Sequence, residues 1–155
     1  MKILLAVDGS ECSDAAVKEI AHRPWPVGTV MKVFSVVELP FAPTTETWAL
    51  PDSYYTQLEE AGRERAKAAI EKSVKTLREE IGMVLEIITD IKMGHAATTI
   101  IDEAESWGAD LLIIGSHGYR GFKRFLLGSV STTIASHAKC SVEIIRTRPV
   151  EESEK

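Results

Sequence analysis

Short, nearly continuous apolar runs alternate along the chain with stretches in which apolar residues recur every three or four positions. The runs cover residues 2–7, 30–37, 84–89, 110–114 and 142–146. Several are almost pure Val, Ile and Leu, which predicts parallel strands covered by helices on both faces. Only Val142-Glu143-Ile144 alternates, the pattern of an edge or interface strand. The first helix is predicted to start at Ser10, a good N-cap, to carry Ala16, Val17, Ile20 and Ala21 inward, and to end before Pro24. The second and longest follows the capping sequence Pro51-Asp52-Ser53, with Tyr54, Leu58, Ala61, Ala69, Val74, Leu77 and Ile81 as its apolar stripe and Gly82 as its stop. A third runs from about His95, burying Ala97, Ile100, Ile101, Ala104 and Trp107 before Gly108, and a fourth follows Gly128-Ser129 with Val130, Ile134 and Ala138 inward.

Strict β-α alternation implies a parallel sheet with right-handed crossovers, and covering both faces requires the strand order to reverse once. A crevice opens at that reversal, beyond the carboxyl ends of the strands. With the order 3-2-1-4-5, the end of strand one at Asp8 sits beside the end of strand four at Gly115.

Composition narrows the possibilities. The 155 residues suit one compact domain, 1–148, followed by a charged tail, 149–155. A net charge of −5 argues against a general nucleic-acid binder, and no apolar run approaches the ~20 residues of a membrane span. The run 2–7 stops at Asp8, too early for a signal peptide. Cys12 and Cys140 lack the spacing of a metal site or a disulfide framework, which fits a reducing cytoplasm and ordinary packing. His22, His95 and His137 have no metal-ligand spacing, so no protein metal site is expected, and Trp25 and Trp107 read as packing anchors. The stretch 38–52, with Pro40, Pro43, Pro51, Phe41 and Trp48, reads equally as a lid or partner surface and as a connection covering the long helix.

Chemistry concentrates between Gly115 and Ser131, where Gly115-Ser116-His117-Gly118-Tyr119-Arg120-Gly121 leaves a strand and Gly128-Ser129-Val130-Ser131 enters a helix. Glycines let the backbone bend and turn its N–H groups inward. The N–H groups of a helix's first turn, with the hydroxyls of Ser129 and Ser131, make a phosphate cradle. Between residues 111 and 142 there are four basic residues, Arg120, Lys123, Arg124 and Lys139, and no Asp or Glu, so this margin attracts an anion that the acidic whole would repel. The Gly-x2-Gly-x2-Gly spacing is neither a P-loop nor a dinucleotide fingerprint, and no lysine or carboxylate stands ready for phosphoryl transfer. Binding is thus easier to support than turnover, and no catalytic residue is assigned. His117 reads as a phosphate donor or a solvated loop residue. Asp8, at a strand's carboxyl end, is suited to accept sugar hydroxyls, or to cap the turn before the first helix. Met93 and Gly94 have two readings, as an adaptable surface near an adenine edge and as core and turn residues.

Gly115-x2-Gly118-x9-Gly128-Ser129 resembles the ATP-binding motif of universal stress proteins. The similarity extends to Ile3-Leu4-Leu5-Ala6-Val7-Asp8-Gly9-Ser10, to residues 109–115, and to the closing turn His137-Ala138-Lys139-Cys140-Ser141-Val142, where the family usually has proline at Ser141. The resemblance implies a Rossmann-like α/β fold, an open five-stranded parallel sheet in the order 3-2-1-4-5. It implies ATP, often with Mg2+ or Mn2+, with Asp8 on the ribose or adenine side, Val37 or its neighbour Val36 near the base, Gly115 at the ribose, and Gly118, Gly128, Ser129 and Val130 at the phosphates; Gly9, Ser10, Ser116, His117, Arg120, Gly121 and Ser131 complete the candidate binding set. It further implies a homodimer paired through the last strand and a role as nucleotide-dependent regulator or sensor. Competing readings are an ATP hydrolase or adenylyl-transferring enzyme using the same crevice, and a nucleotide-free dimerisation module. A response-regulator receiver fits worse, because Asp8 stands without an acidic neighbour.

Overall fold

The computed structural model describes residues 1–38, 52–82, 85–118 and 127–147. Five strands and four helices follow one another as β1 (Lys2–Ala6), α1 (Glu11–Ala21), β2 (Val30–Val37), α2 (Asp52–Ile81), β3 (Glu86–Met93), α3 (Ala96–Trp107), β4 (Leu111–Gly115), α4 (Ser129–His137) and β5 (Ser141–Ile145). All pairings are parallel, as the alternation predicted, and the sheet order is β3-β2-β1-β4-β5, as the family resemblance implied.

Side chains of a strand point alternately to its two faces, so each central strand feeds two cores. Ile3, Leu5, Met31, Val33 and Ile113 join α1 and α2 on one side, with Ile20, Ile70 and Leu77 fully or almost fully buried among them. Leu4, Ala6, Phe34, Leu112 and Ile114 meet Ile100 and Ala104 of α3 and Ile134 of α4 on the other. Trp25 and Trp107 pack against the first and second core respectively.

Local signals place the helix ends. Ser10 caps α1, its hydroxyl accepting the Ser13 N–H at 3.2 Å. Gly82 and Gly108 follow α2 and α3 at φ 74° and 71°, the left-handed conformation that stops a helix.

Two expectations need correction. The third strand starts at Glu86 and runs to Met93, later than the apolar run 84–89, of which Val84 lies outside the described residues. The strand carries Asp90 and Lys92 because β3 is at the edge of the sheet, where polar positions reach water or a partner on α3. The stripe of α2 was also placed too early. Tyr54 and Tyr55 are 45% and 38% exposed, Ala61 is exposed, and the helix is buried only from Ala66 onward. Thirty residues make α2 about 45 Å long, whereas the eight of β2 span about 26 Å, so the first turns of the helix overhang the sheet.

A charged group inside the second core escaped the sequence reading. Glu103 of α3 is 4% exposed and is bonded by Lys32 of β2 at 2.6 Å and by Lys92 of β3. Lys32 also lies 4.5 Å from the ring centre of Trp107. Burial pushes the Glu103 carboxyl up, but the two lysines outweigh it and hold it below the ordinary value near 4.5.

Candidate functional site

The strand order reverses between β1 and β4, where the chain leaves β1 towards α1 and leaves β4 towards α4 on the opposite face. Asp8, Gly9 and Ser10 follow β1, and Ser116, His117 and Gly118 follow β4. The two loops touch. The Ser10 hydroxyl donates to the His117 carbonyl at 3.3 Å, and a Cβ placed on Gly118 would stand 2.8 Å from Asp8 Oδ2. Asp8 is exposed and accepts the Ser10 N–H at 2.9 Å, an Asx turn that fixes its carboxylate at the mouth of the crevice.

At three points glycine either leaves room for a neighbour's atoms or takes a positive φ. At Gly115 a Cβ would lie 2.7–2.8 Å from the backbone of Cys12 and Ser13, so glycine lets the first turn of α1 settle on the end of β4. Gly9 takes φ 79°, which turns the chain from β1 into α1. Gly94, at φ 152°, would drive a Cβ to 2.5 Å from Thr99 Oγ1, and its N–H extends the sheet to the Val37 carbonyl at 3.1 Å. Of its two readings, Gly94 therefore fills the turn role.

The described helix starts differ. Ser10 caps α1, and Glu38 accepts the Ala96 N–H of α3 at 3.1 Å. The α4 N-cap is Gly128, which has no side-chain cap, and no acidic residue stands in the first turn. The first helical bond of α4 is Thr132 N–H to the Gly128 carbonyl at 2.9 Å, so the N–H groups of Ser129, Val130 and Ser131 have no partner among the described residues. Such an end carries partial positive charge. Gly128 is drawn onto the end of β4 by its own N–H, 2.9 Å from the Ser116 carbonyl.

On the other side of β1, the ladder to β2 ends with Val7 N–H to the Phe34 carbonyl at 2.8 Å. Residues two apart on a strand present their main-chain groups to the same side, so the N–H and C=O of Val36 face the crevice beyond Asp8. No main-chain bond reaches them among the described residues. Val37 points elsewhere, 3% exposed beneath Gly62 of α2, where a Cβ would come within 2.6 Å of Val37 Cγ1. Met93 ends β3 rather than following it, 37% exposed, with its sulfur 3.2 Å from Arg63 Nη2.

Three serines expected at a ligand are turned inward. Ser10, Ser116 and Ser131 are 8%, 2% and 2% exposed, and the Ser131 hydroxyl shares its one proton between the carbonyls of Ser116 and Gly128, both at 2.9 Å. The hydroxyl cradle proposed for Ser131 is therefore corrected: buried and already bonded, it shapes the loop from within. The Ser116 hydroxyl meets His117 Nδ1 at 3.1 Å and lies 3.7 Å from Cys12 Sγ. Ser129 is exposed at the start of α4. Arg120 and Gly121, like Lys123 and Arg124, lie outside the described residues, as do residues 39–51 of the irregular stretch and the tail 149–155. Cys12 and Cys140 are free thiols.

A sequence model of the universal stress protein family matches residues 1–146. The chain belongs to the universal stress protein family. Among its curated relatives, universal stress protein MJ0531 of Methanocaldococcus jannaschii is 31% identical over 148 residues, covering 94% of this chain and 81% of the relative. Among solved structures, the universal stress protein UspA from Lactobacillus plantarum superposes with a TM-score of 0.75 at 27% identity, over 94% of this chain and 97% of that one. A universal stress protein family protein from Arabidopsis thaliana with AMP bound shares the fold, with a TM-score of 0.66 at 18% identity over 96% and 93% of the two chains.

Sequence reasoning about this universal stress protein missed Gly62 and Arg63. A glycine inside a long helix was a usable signal, because it costs about 1 kcal/mol relative to alanine and persists for a packing reason. Among the described residues no three His, Cys, Asp or Glu side chains converge to hold a metal ion. No described helix is long and apolar enough to cross a membrane. A shallow cavity of about 450 Å³ lies at the other end of the sheet, between Ala104, Gly108, Asp110 and Cys140, away from the crevice.

Proposed function

We propose that this universal stress protein binds ATP in the crevice between β1 and β4 and acts as a nucleotide-dependent regulator. The observation that carries the reading is the uncapped start of α4, drawn by Gly128 to the end of β4 and facing the loop that holds Asp8. A triphosphate supplies the negative charge that three unpartnered N–H groups attract. Asp8 accepts the ribose hydroxyls, and the N–H and C=O of Val36 offer one donor and one acceptor to the adenine edge. Gly118 keeps the space beside Asp8 open, and Gly115 keeps the floor of the crevice low. The Arabidopsis relative, alike in fold, was solved holding AMP.

In this reading Mg2+ or Mn2+ arrives with the phosphates, since no set of protein ligands stands ready for it among the described residues. The ion neutralises phosphate charge, while the chain's own groups bind and orient the nucleotide. Among the described residues no base or metal-holding carboxylate is arranged for fast hydrolysis, and in this reading the nucleotide acts by binding: it shifts the protein only as far as it prefers one conformation over another. Two copies pair through the outer edge of β5, which sedimentation equilibrium tests as a mass twice that of the chain.

The direct test is isothermal titration of the purified protein with ATP in the presence of Mg2+. Saturable binding that is lost on Gly128→Leu, with an unchanged circular dichroism spectrum, supports the reading. An equal affinity in the variant removes it. Turnover well above background, lost on Asp8→Asn, would favour an ATP hydrolase instead.

A further inference from the structure

Two serines bracket the exit of β4 from opposite faces of the sheet. Ser10, at the cap of α1, donates its hydroxyl to the carbonyl of His117. Ser131, in the first turn of α4, donates to the carbonyl of Ser116, which also receives the Gly128 N–H. Consecutive carbonyls of one loop are thus held by two different helices. Both hydroxyls are more than nine-tenths buried, so neither is open to a ligand.

A trans peptide is planar, and its N–H points opposite to its C=O. The Ser116 carbonyl, held by the Ser131 hydroxyl and the Gly128 N–H, keeps the start of α4, with its unpartnered N–H groups, on the end of β4. Fixing the His117 carbonyl towards Ser10 fixes the Gly118 N–H, away from α1. That N–H has no main-chain partner among the described residues. Ser10 also reaches the other half of the crevice, because its own N–H holds Asp8 Oδ1 at 2.9 Å. One residue thus ties the carboxylate of the first loop to the main chain of the second.

We propose that Ser10 and Ser131 are positioning residues, whose hydroxyls set the aim of the Gly118 N–H and the seat of the α4 start and so the affinity for the phosphate tail without touching it. The proposal rests on the nucleotide reading above. It differs from a merely structural role in one respect: the hydroxyls matter to the phosphates and not to the nucleoside.

The test compares ATP and adenosine by isothermal titration in wild type, Ser131→Ala, Ser131→Thr, Ser10→Ala and Ser10→Thr. Loss of one hydrogen bond to the loop is expected to weaken ATP binding about five- to tenfold. Adenosine affinity should change less than about twofold, and threonine, which keeps the hydroxyl, should restore ATP binding. Adenosine binding also shows that each variant is folded, and Ser10→Ala, which loses the α1 cap as well, is read against Ser131→Ala, which does not. Equal losses for ATP and adenosine, unchanged ATP affinity in both alanine variants, or failure of both threonine variants would overturn the proposal while leaving the nucleotide reading in place. Wild type that binds neither ligand would overturn both.

Discussion

Gly118 stands against Asp8 so closely that a single added carbon would lie 2.8 Å from the carboxylate oxygen. The glycine of one loop thus guards the acid of the other. Because that oxygen ends an exposed side chain, it can swing aside at little cost to folding. Gly118→Ala is expected to leave the urea midpoint within experimental error. It should weaken ATP binding about ten- to a hundredfold, one displaced charge-assisted hydrogen bond at about 1.5–3 kcal/mol setting the scale. Titration calorimetry beside urea unfolding measures both.

Gly115 sends the opposite signal. The atoms its Cβ would meet, at 2.7–2.8 Å, are backbone atoms of Cys12 and Ser13, which move only if the start of α1 moves. Gly115→Ala is expected to destabilise the fold by about 1–3 kcal/mol, the range for overpacking a closed site. Urea unfolding at neutral pH reads this directly, and an unchanged midpoint would show that α1 is loosely seated.

Gly62 sets two effects against each other. Alanine in a helix gains about 1 kcal/mol over glycine, whereas a Cβ 2.6 Å from the branched, stiff Val37 costs about 1–3 kcal/mol. Gly62→Ala should therefore be destabilising on balance. Combined with Val37→Ala, which vacates the space, it should recover a large part of the loss. A double-mutant cycle measures the coupling, expected at about 1 kcal/mol or more, and strict additivity would contradict the close approach.

Glu103 carries the pH dependence. Its carboxyl lies below its ordinary value in the folded protein, so the unfolded chain binds the proton more readily. The stability it contributes is complete above about pH 4.5 and is lost as the pH falls through the lowered folded value. Glu103→Ala, which strands Lys32 in the core, is expected to cost about 3–5 kcal/mol at neutral pH. Glu103→Gln should cost less, and its stability gap from wild type, followed by urea unfolding, should narrow on acidification below about pH 4.5. A gap that stays constant would mean that the lysines do not hold the charge.

The elements that the sequence revealed are those whose cause is local. Ser10 is an N-cap because its own hydroxyl reaches Ser13, and Gly108 ends α3 because it alone takes the left-handed turn cheaply. A parallel sheet with one reversal followed from alternation and handedness, whereas the particular order that brings Asp8 and Gly115 to the same end came from the family resemblance. What stayed hidden depends on partners far away in the chain. Lys32 and Glu103 are 71 positions apart; Lys32 is the one charged residue in its apolar run, but Glu103 stands between Asp102 and Glu105 and carries no such mark. The inward turn of Ser131 could not be read either, because a serine beside a helix start serves a ligand or its own loop equally well until the Ser116 carbonyl is placed. The stripe of α2 misled because periodicity reports a face and not whether anything lies beneath it.

The two borders of the sheet are unlike. β3 places the charged Glu86 and Lys92 along its margin, both exposed, whereas β5 has a half-buried margin with Val142 and Ile144 packed into the second core. Charged side chains discourage another strand from docking alongside. If two copies pair through β5 as proposed, the charged β3 border leaves no second strand to recruit, so that association would end with a closed pair and not run on into a filament.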